Sequence, residues 1–371
     1  MKRFFLAALA IAAIASCTKN EVNEIVGDNQ ITFQTVVGPS TKALIDATTY
    51  ATTDPTFGTV AYYNATGETF PTNSKPYIPE SEVTYQTSFW STVTPYYWPK
   101  NGFLTFFSYS PWSINESVSC SETDGITISN YDVSAAQGVD IMVADVKTEM
   151  KSNGTNGGYN GVPTIFRHKL SQLVDVQFKT DKEYNKADGI AGSPYVAGDK
   201  LFFVNYVKVN NLEQTGTYVS GNNVDDTHLG TWSLPTTPAY DHDYAWYTET
   251  SSCEKEFTST AVSAKTMSYI LMVPQTYKAP VAPQTAADVS NVEIKYTIRT
   301  YSGSGASAYS DDVVTTTISM YDIFGTQTEP DYTLNMNKKV TLTFTVSVDQ
   351  IKWAPSVEAW GTETISAPTI N

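Results

Sequence analysis

The chain has 371 residues, with 23 Lys and Arg against 38 Asp and Glu and a formal net charge of −15. That balance argues against a nucleic-acid partner, which needs basic patches to neutralise phosphates, and against an anionic membrane surface. It fits a soluble extracellular protein. Only 16% of residues are charged, and Thr, Ser, Asn and Tyr are abundant, a composition that favours strands over helices.

Lys2 and Arg3 precede an apolar run from Phe4 to Ile14 that is too short to span a bilayer as a mature helix, the layout of an export signal. Ala15-Ser16-Cys17 closes it. The small residues admit a signal peptidase and the Cys17 thiol accepts a diacylglyceryl group, so residues 1–17 read as a lipoprotein signal with Cys17 as the lipidated residue, the alternative being an ordinary secretory peptide with a chance cysteine. More than one acyl chain then anchors the protein stably. Residues 18–30 are polar and read as a tether, and no later stretch is long and apolar enough for a transmembrane helix.

Ile31, Phe33, Thr35 and Val37 alternate with Thr32, Gln34 and Val36, the period of a strand with one buried face. Gly38-Pro39-Ser40-Thr41 breaks the strand, and Lys42 sits in the polar loop ahead of Ala43-Leu44-Ile45. Exposed loops of small polar residues are where proteolytic nicking concentrates, so a strand held only through such a loop can be cut free. On local pattern alone, the same residues also fit a permanent first strand followed by a surface lysine.

Further strands are expected at Phe57–Tyr63, Ile126–Ile128, Ile141–Ala144, Leu201–Val209 and Ile270–Val273. Asn101-Gly102, between Tyr96-Tyr97-Trp98 and Phe103-Leu104, is a hairpin signal. The Gly- and Asn-rich stretch from Lys151 to Gly161 reads as a loop or junction. After it Val174, Val176 and Phe178 alternate, as do Val292, Ile294, Tyr296 and Ile298, and then Val340, Leu342, Phe344, Val346 and Val348. Gly221 to Asp243 is acidic and turn-rich, a surface excursion. The expectation is an all-β protein of two sandwiches, residues 31–161 and 162–371.

Catalytic chemistry finds no foothold. His168, His228 and His242 match no zinc or calcium spacing with the nearby Asp225, Asp226, Asp241 and Asp243, and no nucleophile elbow, phosphate loop or dinucleotide fingerprint is present. No enzyme activity, metal or cofactor is expected. Two readings stay open for Cys120 and Cys253, a disulfide or two free thiols.

Several segments together resemble the Mfa-like fimbrillins, the lipoprotein pilins and pilin-like adhesins of type V pili in Bacteroidales. They are the CTKNE start at Cys17, the ITF strand ahead of TKALI, YWPKNGFLTFFSYSP, DIMVAD, FRHKLSQLVDVQF, LMVPQT and the terminal VTLTFTVSVDQIKWAPSVEAW. The resemblance implies two tandem transthyretin-like β-sandwiches in an outer-membrane lipoprotein destined for a fimbrium. It also implies assembly by strand exchange. A trypsin-like protease cuts behind the first strand, the strand carrying Ile31, Phe33 and Val37 departs, and another pilin subunit fills the groove. By position the resemblance makes Lys42 the matching basic residue, where many relatives have Arg, and Ala43 the new N-terminus.

A donor strand would come from Thr362–Ala367 with Ile365 as its apolar anchor, but Pro368 shortens it, which favours a tip or accessory subunit over a stalk subunit. A second reading is a surface lipoprotein that binds glycans on some of its 7 Trp, 24 Tyr and 16 Phe. A pilus tip that grips a host ligand would combine the two.

Overall fold

The computed structural model describes residues 29–37, 56–86, 89–153, 161–184, 195–236, 242–249, 255–303, 308–324 and 331–360. In chain order its strands are β1 (Phe33–Val37), β2 (Thr56–Asn64), β3 (Lys75–Gln86), β4 (Phe89–Thr92), β5 (Phe103–Ser110), β6 (Val118–Ser121), β7 (Gly125–Asp132), β8 (Met142–Ala144), β9 (Lys147–Met150), β10 (Val162–His168), β11 (Ser171–Thr180) and β12 (Lys200–Leu212). They continue with β13 (Thr215–Val219), β14 (Thr231–Ser233), β15 (His242–Thr248), β16 (Lys255–Phe257), β17 (Val262–Ser263), β18 (Ile270–Met272), β19 (Gln275–Lys278), β20 (Asn291–Tyr301), β21 (Tyr309–Ser319), β22 (Asp331–Leu334), β23 (Lys338–Val346) and β24 (Ile351–Ala359). The α-helix among the described residues is one short turn, α1 (Met320–Phe324). The fold is all-β.

The first sheet runs β2-β3-β4-β1-β10-β8-β5-β9, and β2 also pairs with β5, so the sheet closes on itself. Closure removes the open edges that a flat sheet would present. One side is filled by Ile31, Phe33, Phe57, Leu104, Phe106, Val162 and Phe166. From the opposite faces of β2 and β5, Val60, Tyr62, Phe107 and Tyr109 pack on Ile126, Ile128 and Tyr218. These last three belong to a four-stranded sheet, β14-β13-β7-β6. β5 is therefore buried along its whole length, which explains its run of apolar and aromatic residues without alternation.

Most of the remaining strands form two facing sheets, β17-β11-β23-β24 with β18 also on β11, and β15-β12-β20-β21 with β16 also on β12, while β19 and β22 pair with each other. Leu173, Val176, Phe178, Val340, Leu342 and Phe344 of one meet Phe202, Val204, Val207, Ile294 and Trp246 of the other. The alternation expected in β20 and β23 is present as far as Val346, with Val292, Ile294, Val340, Phe344 and Val346 fully buried, whereas Val348 lies beyond the end of β23 and is exposed. In each half the first strand lies parallel to a late one, β1 to β10 and β11 to β23.

Three local expectations are corrected. Asn101-Gly102 makes no hairpin, because Trp98 is engaged elsewhere, with its N–H donating to the Asn29 carbonyl (2.9 Å), and β5 pairs with β2 instead. In β11 a bulge between Leu173 and Asp175 shifts the phase, so Leu173 and not Val174 joins Val176 and Phe178 in the core. The Gly221–Asp243 stretch is more than an excursion, since it contributes β14 to the sheet with β13.

Candidate functional site

β1 occupies a slot between β4 and β10. Its parallel ladder with β10 runs the whole strand, from Phe33↔Val162 to Val37↔Phe166, whereas on the β4 side the pairing is the single Phe33↔Trp90 match. Ahead of β1 the chain is tied to the body through Gln30↔Tyr97, with the Ile31 N–H donating to the Tyr96 carbonyl at 2.8 Å. One edge of this strand is held throughout and the other mainly at its start.

Ile31 and Phe33 are each 1% exposed. The Phe33 ring meets Phe57 and Phe106 edge-on at centroid distances of 5.7 and 5.8 Å, and Phe57 in turn contacts Phe166 and Trp90 at 5.3 and 5.4 Å. Edge-to-face packing of this kind adds to the burial itself. Together the two side chains contribute roughly 3–6 kcal/mol of burial. Alternation is incomplete: Thr32 is also buried, its carbonyl accepting from the Val162 N–H at 2.8 Å. Gly161 permits that approach, at φ +125°, where an added Cβ would sit 2.8 Å from the Thr32 carbonyl oxygen. Of Val37 the backbone alone is described, paired with Phe166.

A residue that sequence reading passed over completes the slot. Asn153, in the stretch read as a loop, accepts the Thr32 N–H (3.1 Å) and the Trp98 indole N–H (2.9 Å) on Oδ1, and its Nδ2 donates to the Gln30 carbonyl. An Asn within KSNG carries no signal that separates a clamp from a turn.

Cys17, Lys42, Ala43 and Ile365 lie outside the described residues. The last described residue, Trp360, is fully buried, and its N–H donates to the Asn337 carbonyl at 2.7 Å. Cys120 carries a free thiol, pushed up to about 12 by burial, and Cys253 lies outside the described residues.

His168, at the end of β10, is buried with its Nδ1 2.8 Å from Asp140 Oδ2 and its ring flat on Trp360. The acidic turn folds on itself. Asp225 accepts the Thr227 hydroxyl at 2.8 Å and the His228 and Thr227 backbone N–H groups at 2.7 and 2.8 Å, and these bonds, the hydroxyl first, outweigh burial and hold its carboxyl well below the usual range.

A family model described as fimbrillin-like matches residues 41–360. Among solved structures, a fimbrial protein from Bacteroides vulgatus ATCC 8482 is similar at 17% identity and a TM-score of 0.57, over 90% of this chain and 100% of that one. The tip fimbrial protein Mfa3 from Porphyromonas gingivalis, with a C-terminal truncation, is similar at 10% identity and a TM-score of 0.40, over 89% of this chain and 100% of that one. A fimbrial assembly protein from Parabacteroides distasonis ATCC 8503 is similar at 10% identity and a TM-score of 0.30, over 89% of this chain and 98% of that one. Comparison with curated protein sequences gives no match. At 17% identity the first likeness is one of fold.

Proposed function

The chain belongs to the fimbrillin-like family, and from that premise we propose that it is a pilus subunit assembled by exchange of its first strand. Membership of that family supports a structural rather than enzymatic role, a location in cell-surface fimbriae and other pilin subunits as partners. In the proposed sequence the chain is exported as an outer-membrane lipoprotein on Cys17, a trypsin-like protease cuts behind Lys42, β1 leaves, and a strand from another subunit takes its place.

The observation that carries this reading is the position of β1 as one stave of a closed sheet. Its removal exposes the slot around Ile31 and Phe33 and frees the facing edges of β4 and β10. Unpaired edges beside an apolar slot are a template for strand addition, which restores both the ladder and the burial. The family match begins at residue 41, downstream of β1 and next to Lys42.

The test is Lys42→Ala. The variant is expected to fold with an unchanged melting temperature and to be missing from fibres. Wild-type incorporation into fibres would overturn the reading and bring the glycan-binding lipoprotein to the front.

A further inference from the structure

We propose that Asn153 is the positioning residue that sets the register of whichever strand fills the slot, an inference that rests on the strand-exchange reading. Its side-chain amide offers one acceptor and one donor to the segment leading into β1, as a neighbouring peptide group would. Oδ1 takes the Thr32 N–H at 3.1 Å and Nδ2 reaches the Gln30 carbonyl. It does so ahead of β10, whose ladder with β1 begins only at Phe33↔Val162. The Trp98 indole N–H, 2.9 Å from Oδ1, fixes which end of the amide faces which group. Trp98 belongs to the body and is not part of β1, so this bond survives the strand's departure and keeps the empty slot set for its next occupant.

Both groups that Asn153 reads, on the residues leading into β1, are main-chain groups, so the clamp accepts any sequence without proline at the donating position. It does not accept any register. Successive residues turn their N–H and C=O to opposite edges and their side chains to opposite faces, so a one-residue slip offers Asn153 the wrong groups and turns the apolar side chains outward. The occupant must place the carbonyl of a residue n and the N–H of n+2 on Asn153, with apolar side chains at n+1 and n+3. In β1 and the residues leading into it these are Ile31 and Phe33, and the second must fill the cage of Phe57 and Phe106. The partner strand is therefore one with an apolar residue two places before a bulky, preferably aromatic one.

Hydrogen exchange of the full, uncut chain tests the clamp without any assembly step. Asn153→Ala is expected to speed exchange across residues 30–34 about tenfold while leaving β23 unchanged, the size expected for losing about one to two net hydrogen bonds. Asn153→Asp, which keeps the acceptor but sets an oxygen against the Gln30 carbonyl, should do the same and guards against a folding defect in the first variant. Wild-type exchange in both would overturn the proposal.

The folded protein can then be nicked behind Lys42 and release of the strand timed by mass spectrometry. Release about tenfold faster in both variants is expected, and equal release rates would overturn the clamp. A slot that empties faster in the variants, yet is never refilled by a second copy, would support the clamp and count against strand exchange.

Discussion

Trp360 lies face to face on His168, ring centroids 4.1 Å apart and planes within 7°. His168 closes β10, the strand that holds β1 along its length, and Trp360 follows directly on β24. The start and the end of the described chain are thus tied to the same strand. Asp140, buried beside His168 at 2.8 Å, completes a polar knot inside an apolar cluster that includes Leu170, Leu271 and Met336.

Trp360→Ala is expected to cost about 3–5 kcal/mol, the usual range for emptying a large aromatic site. Trp360→Phe should cost much less, because the ring stack remains and the indole N–H has no hydrogen-bond partner among the described residues. Equilibrium unfolding in denaturant checks both. Equal losses for the two would show that the stack contributes little.

Much of this was legible in the chain. The alternations of β20 and β23 appear directly as buried faces, because each strand has one wet side. The Ile31 and Phe33 pattern likewise located a buried strand. Where both faces are covered, as in β5, periodicity has nothing to report, and partners could not be assigned. The parallel match of β1 with β10, as in Phe33↔Val162, joins residues more than a hundred apart, and the closing pair of β2 with β5 joins Gly58 to Tyr109; neither leaves a local mark. The Val174 phase was misplaced by a bulge, which inserts one residue without a composition signal. Asn153 was hidden for a different reason: its role lies in which backbone groups the fold brings to it.

Phe33→Ala should loosen β1 selectively. A loss of about 3–5 kcal/mol is expected from the Phe57 and Phe106 cage. Urea denaturation of the uncut protein measures it, and a loss below about 1 kcal/mol would mean that the slot collapses around the smaller side chain.

Lys169, in the turn between β10 and β11, is fully buried, with its Nζ donating to the Leu229 carbonyl at 3.1 Å. Burial pulls its amine down from 10.5 to about 7. Between those values the unfolded chain binds the proton and the folded chain does not, so this residue's contribution to stability rises with pH across that window. Below about pH 7 the charge is retained in both states and the cost of burying it is carried in full. Lys169→Met removes that dependence. Its stability relative to wild type should be greatest below pH 7 and shrink steadily towards pH 10.5. A difference that stays constant over that range would show that the buried amine does not titrate there.

Removal of β1 is tested most directly by intact mass and N-terminal sequence of the protein sheared from cell surfaces as fibres. Strand exchange predicts a chain that begins at Ala43 and carries no lipid. A fibre-borne chain that still begins at acylated Cys17, with β1 in its slot, would contradict it.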